Sequence, residues 1–288
     1  MQHRYVLDVG DFGKVGLLRS LCGLDSPPSL RLGVVWYLVP DESHNDDGKH
    51  VGYLKRPKRS FRDCDVILYD AFRHLLIGDD GAPIAGRRHL TTIEGSGLLP
   101  DGTAFYSDPL AFPEGSTVED RIVLRTEWLK GALRRTVQAD VVFVDPDNGV
   151  ECQSVSRTSR KGTKYVSWDE VNAFAARNQT VVVYHHLHRL WPSSKQLELL
   201  RQQFTERMPH GFAVSDVTFT RGTRRAYFVA AAPHHQELVT HRLSAMLATQ
   251  WSNHFPPEIA NVHGSSASSP IYSGLYGSPP SQCQTRWS

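Results

Sequence analysis

Cysteine and methionine are scarce: four and three, respectively, in 288 residues. Cys22, Cys64, Cys152 and Cys283 lie too far apart for a zinc knuckle or a redox pair. Free thiols in a reducing compartment are the expectation. No apolar run approaches the roughly 20 residues needed to cross a bilayer. The start, Met1-Gln2-His3-Arg4-Tyr5, lacks the apolar core of a signal peptide. Together these absences predict a cytoplasmic protein with no membrane partner and no disulfide framework. A dominant charge is missing too: the net is +2, which excludes no partner class. What is present, a 40% hydrophobic content, suits a globular protein with a sizeable core.

The order of patterns along the chain is regular in its second half. Residues 5–7 are a short apolar start. Gly10-Asp11-Phe12-Gly13 reads as a turn or cap, and residues 14–22 as a helix with Val15, Leu18 and Cys22 on one face. Residues 32–39 read as a buried strand closed by Pro40. Residues 65–69 read as a second strand, and 71–76 as a helical turn. Residues 78–116, rich in glycine and proline, read as an irregular insertion or lid. Ser116 and Glu119 have capping-box spacing, ahead of a helix with Leu124, Trp128 and Ala132 on one stripe. A strand over 140–144 follows. A second capping box, Ser167 and Glu170, opens a helix carrying Val171, Phe174 and Ala175.

A strand over 180–184 then runs into His185, His186 and His188, and a helix over 195–208 comes next. Two strands, 213–220 and 225–231, are joined by Arg221-Gly222-Thr223-Arg224 as a hairpin. A last helix spans 235–249. Serine, proline and glycine dominate beyond Trp251, so residues 251–288 are expected to be a disordered tail behind one domain, 1–250. Alternating helices and strands imply an α/β fold. The expected form is a Rossmann-like open, mostly parallel sheet with helices on both faces and a C-terminal antiparallel hairpin.

The chemistry concentrates after the strand Val141-Val142-Phe143-Val144, in Asp145-Pro146-Asp147-Asn148-Gly149. In open α/β sheets ligands sit beyond the carboxyl ends of strands, so Asp145, Asp147 and Asn148 are candidate site residues. His186 shares a face with His188 at the next strand end and joins them.

Two basic runs flank the pattern. Lys55, Arg56, Lys58 and Arg59 belong to one; Arg160, Lys161 and Lys164 belong to the other. Two such loops beside one cleft suit a nucleic acid, RNA or DNA, because phosphate contacts supply most non-specific affinity.

This order resembles the Rossmann-like S-adenosylmethionine-dependent methyltransferases. Asp145-Pro146 is similar to the strand-end motif of amino-methyltransferases, although Asp147 and Asn148 stand where a second proline and an aromatic are usual. Gly10-Asp11-Phe12-Gly13-Lys14 more distantly resembles the helix start of the bacterial large-subunit ribosomal RNA adenine N6-methyltransferases. The resemblance implies S-adenosylmethionine as cofactor, with Gly10, Lys14, Asp41 and Glu42 near it. It implies Asp145 and Asn148 as acceptors for an exocyclic amine. No glycine follows the first strand until Gly48, which departs from the family.

A metal-dependent nuclease or phosphoesterase is the alternative. Asp145, Asp147 and Glu151, with Asp41, Glu42, Asp46 and Asp47, would hold Mg²⁺ beside Lys49, His50, His186 and His188. Their spacing matches no metal-ligand signature. A catalytically degenerate nucleic-acid-binding protein is the third reading.

Overall fold

The computed structural model describes residues 1–42, 48–56 and 58–256. Asp46, Asp47 and most of the expected tail lie outside the described residues. The first elements are helix α1 (Val9–Cys22), strand β1 (Leu32–Val35), and helices α2 (Gly52–Lys55), α3 (Arg59–Arg62), α4 (Val66–Leu76) and α5 (Leu90–Glu94). Strand β2 (Ala104–Tyr106), helix α6 (Val118–Arg135) and strands β3 (Val141–Val144), β4 (Gly149–Val150) and β5 (Tyr165–Val166) follow. The chain continues through helix α7 (Trp168–Ala175), strand β6 (Thr180–His186) and helix α8 (Ser193–Arg207). It closes with strands β7 (Ala213–Phe219) and β8 (Arg225–Ala231) and helix α9 (Gln236–Leu247).

Six strands form one sheet in the order β2-β1-β3-β6-β8-β7. The pairs among β2, β1, β3 and β6 are parallel, and β8 runs antiparallel to both β6 and β7. The expected fold class is therefore present, with the antiparallel strand inserted inside the hairpin edge. Alternation along each strand builds two cores. Val34, Phe143, Val182 and Tyr227 face one, against α1, α4 and α9. Val35, Val144, Val183 and Phe228 face the other, against α6, α7 and α8. Burial on both faces explains the unbroken apolar strands.

Register places the functional edge. Val35 pairs with Val144, and Val144 with Val183. β1 and β3 thus end level while β6 runs on to His186, and Trp36, Asp145 and Tyr184 follow in one row, with Tyr184 opposite Tyr227. β1 has β2 on one side and β3 on the other, so this row spans a topological switch point.

Several local expectations are corrected. Gly10 and Gly13 lie inside α1, which starts at Val9 under an Asp8 cap. A Cβ at Gly10, Gly13 or Gly16 would meet Arg225, Phe219 or Trp251, so the glycines serve close packing rather than a turn. β1 ends at Val35, four residues early, and Tyr37 turns the chain at φ 46°. Residues 66–76 are helical, because Leu68, Tyr69, Phe72 and Leu76 repeat at helical spacing and Asp65 accepts from Leu68 N. The stretch 78–116 is no mere lid, since it holds α5 and supplies edge strand β2. The first capping box is Thr117 with Asp120, one residue on. That shift leaves Leu124 exposed and buries Arg125 on the stripe with Trp128 and Ala132. Order continues past 251, where Trp251 and Phe255 are buried.

Candidate functional site at the carboxyl edge of the sheet

α1 delivers its first turn to the switch point. Asp8 caps it, accepting from Gly10 N at 2.7 Å and Asp11 N at 3.0 Å. Asp11 and Lys14 then lie one turn apart on the buried side. Lys14 Nζ donates to Asp11 Oδ1 at 2.8 Å and to Asp145 Oδ2 at 2.6 Å. The rings of Trp36, Phe143 and Tyr184 surround the ammonium at 5.5, 6.0 and 5.9 Å. Burial would lower the Lys14 pKa, but Asp11 and Asp145 outweigh it and hold the amine cationic. Asp11 moves the other way. Burial, with Asp8 and Asp145 nearby, pushes it up to about 6 against the pull of Lys14.

The turn after β3 is equally enclosed. Asp147 Oδ2 accepts from Gln2 Nε2 at 2.6 Å. The Met1 amine donates to the carbonyls of Tyr37 and Asp145, each at 3.0 Å. It also lies 2.7 Å from Asp147 Oδ1 as an ion pair. Burial raises the Asp147 carboxyl, yet the amine, Gln2 and Lys164 together hold it below the usual range. Asn148 is placed through its backbone, donating to Lys164 O at 2.9 Å and accepting from His186 N at 3.2 Å. Gly149, at φ 111°, has no room for a Cβ, which would meet His185 Nδ1 at 2.4 Å. Only glycine lets this turn close onto β6.

β6 and β8 complete the wall. Burial, with neighbouring cations and histidines, lowers His185 to about 3 and His186 to about 4, so both imidazoles are neutral near pH 7. His185 Nδ1 accepts from Val150 N at 3.2 Å, a structural role. His186 Nδ1 lies 3.4 Å from the Tyr184 hydroxyl, at the rim of the site. Arg225 faces Asp8 at 3.7 Å and donates to the carbonyls of Arg221 and Thr223. The Tyr227 hydroxyl is buried with no hydrogen-bond partner.

The structure thus gathers Lys14, Asp145, Asp147, Asn148 and His186 into one centre. Other expected residues fall elsewhere or in other roles. Gly10 packs on Arg225. Asp41 is exposed and accepts from Arg4 N. Glu42 pairs with Lys164. Glu151 accepts from Trp168 N at 2.9 Å.

The basic residues Lys55, Arg56, Lys58, Arg59, Arg160 and Lys161 are exposed. Neither run is a plain loop, since Lys55 ends α2, Arg59 opens α3 and residues 160–164 form a 3-10 helix, but both segments reach the centre. Lys164 comes within 3.8 Å of Asp147. In the other segment His50 O accepts from Val9 N, and the Tyr53 hydroxyl sits 3.4 Å from Asp8 O. Asp8, Asp11, Arg225 and Tyr227 were missed by sequence reasoning. The spacing Asp8-x-x-Asp11-x-x-Lys14 was the available signal, since an aspartate cap and a first-turn acid mark a helix start. A groove of about 460 Å³ between β2 and α6, lined by Tyr106, Asp108 and Arg134, shares no residue with this centre.

Neither expected cofactor fits the residues present. Mg²⁺ needs free carboxylates, and those of Asp145 and Asp147 already face amines at 2.6 and 2.7 Å. Among the described residues no group of three acids, histidines or cysteines is arranged to hold a metal. S-adenosylmethionine needs a close backbone approach after β1. Here Trp36, Tyr37, Leu38 and Val39 are all buried side chains, and Val39 N donates to Met1 O across that space. Comparison with protein-family models, with curated proteins and with solved structures finds no match. Among the described residues no helix is long and apolar enough to cross a membrane.

Proposed function

We propose that this chain binds nucleic acid at the carboxyl edge of a methyltransferase-like sheet, with the Lys14 centre as a closed organising core rather than a cofactor site. One observation carries the reading: two segments with exposed basic residues, distant in sequence, each touch the same strand-end centre, one through His50 and the other through Lys164. Cations on either side of one edge suit a phosphate backbone, and such binding weakens steeply with salt. A cytoplasmic setting belongs to the same proposal, in keeping with the free thiols of Cys22, Cys64 and Cys152. The test is fluorescence anisotropy with labelled RNA and DNA, single-stranded and duplex, across a salt series. A linear fall of log affinity with log salt is expected. No binding to any of them at low salt overturns the proposal.

A second reading, methyl transfer to an exocyclic amine, is favoured by the sheet order. β8 lies antiparallel between β6 and β7, the closing hairpin that the family resemblance calls for, and Asp145-Pro146 sits at the switch point. Calorimetry with S-adenosylmethionine decides between them. Saturable binding of the cofactor would replace the first reading with the second; no heat at millimolar cofactor retains the first.

A further inference from the structure

We infer that Trp191 is a stacking platform for an unpaired base of single-stranded nucleic acid, displayed at the exit of β6. The inference rests on the nucleic-acid reading above and names its substrate class. Trp191 is 47% exposed, whereas Trp36, Trp128, Trp168 and Trp251 are all buried. Leu190 beside it is 64% exposed. An indole left in water forgoes burial worth a few kcal/mol, so its display calls for a reason.

The display is built, not slack. The buried side chain of Gln196 accepts from His188 N at 3.1 Å and donates to His188 O and Trp191 O, each at 2.8 Å. The loop is thereby tied at both ends. His188 meets the indole edge-on, with centroids 5.9 Å apart and planes at 71°. Lys195 Nζ lies 5.2 Å from the indole centroid. The exposed part of the ring is surface on which a base can stack, beside the cation. Arg189, Lys195 and Arg224 are exposed around it and supply phosphate contacts.

A duplex keeps its base faces stacked inside, so an exposed indole serves it poorly. A single strand offers free faces, and stacking on aromatics is how such strands are held. The platform also shares its edge with the second basic loop, because His186 N bonds Asn148 O and Asn148 N bonds Lys164 O.

The experiment compares the full chain with Trp191→Ala and Trp191→Phe by anisotropy. The probes are a labelled poly-uridine or poly-thymidine strand of about 12 nucleotides and a duplex of the same length. Trp191→Ala is expected to weaken single-strand binding at least about five-fold and to leave duplex binding unchanged, while Trp191→Phe keeps most of the affinity. Single-strand affinity unchanged in Trp191→Ala overturns the platform and leaves the nucleic-acid reading standing. No binding by the unsubstituted chain overturns both. A self-associated species in sedimentation that Trp191→Ala abolishes, with single-strand affinity intact, assigns the indole to a contact between copies and overturns the inference.

Discussion

Two ion clusters buried among the described residues are completed differently. Between α6 and α7, Arg125 grips Glu170 through two bonds, 2.6 and 2.8 Å. Its remaining donors go to the carbonyls of Arg157, Gly162 and Tyr165. Glu170 in turn accepts from Ser167 N at 2.8 Å, closing the capping box of α7. That cluster is one cation to one anion, and it pins the turn that carries Arg160, Lys161 and Lys164.

At the sheet edge, Asp8, Asp11, Asp145 and Asp147 face Lys14, Arg225, Lys164 and the Met1 amine, and Lys14 is shared by two acids, Asp11 and Asp145. Tyr227 remains without a partner there. Burial is common to both clusters. Completeness of pairing separates the structural device from the site.

Breaking each cluster tests that distinction. Arg125→Met is expected to cause the largest loss, about 3–5 kcal/mol by urea denaturation, because Glu170 is left buried and unpaired. It should also weaken nucleic-acid binding by loosening the basic turn. An effect under about 1 kcal/mol would show the pair to be dispensable.

Lys14→Met should cost a comparable amount at pH 8, since Asp11 and Asp145 lose their shared cation. Near pH 5 the cost should shrink, because Asp11 takes up a proton. A cost equal at both pH values would place the two clusters in one class.

Asp11→Asn isolates the acid that shares Lys14 with Asp145. The folded-state pKa of Asp11, about 6, is raised above its ordinary 3.8, chiefly by burial. The folded state therefore holds this proton more tightly. Its contribution is fully present below about pH 4 and is lost as pH rises through about 6. The stability of the unsubstituted chain relative to Asp11→Asn should fall over that window by up to about 3 kcal/mol. A flat difference would mean that Asp11 is ionised throughout.

Smaller changes probe the surfaces. The double variant Arg160→Glu, Lys161→Glu should lower the salt slope of nucleic-acid binding by roughly one per phosphate contact removed, with the fold intact by circular dichroism. An unchanged slope would remove that loop from the interface. Leu124→Gln should move stability by less than about 0.5 kcal/mol, since Leu124 is exposed.

The sheet was legible in the sequence wherever strands were buried on both faces. Val141 to Val144 and Val181 to Val183 stand out because both faces are buried and every residue is apolar. Local punctuation misled where tertiary packing outweighed it. Gly10 and Gly13 look like a turn, yet they sit in a helix because Arg225 and Phe219 press against them, and no local signal announces that. Val66 and Ile67 look like a strand, but both are exposed and the helical spacing becomes clear only four residues on. Lys14 and the Asp145 turn were visible by their position. Their mutual contact was not, because it depends on α1 returning to the end of β3.

The glycine face of α1 also sets an order of events. Gly13 requires Phe219, and Gly16 requires Trp251, at contact distance, so the first long helix takes its support from segments near the far end of the described chain. During synthesis that helix emerges early and its glycine face must wait uncovered until residue 251 and its neighbours arrive. Contacts of such long sequence separation fold slowly and leave sticky surface open meanwhile. A chain stopped short of Trp251 would be expected to occupy chaperones rather than fold, even with every strand of its sheet already made.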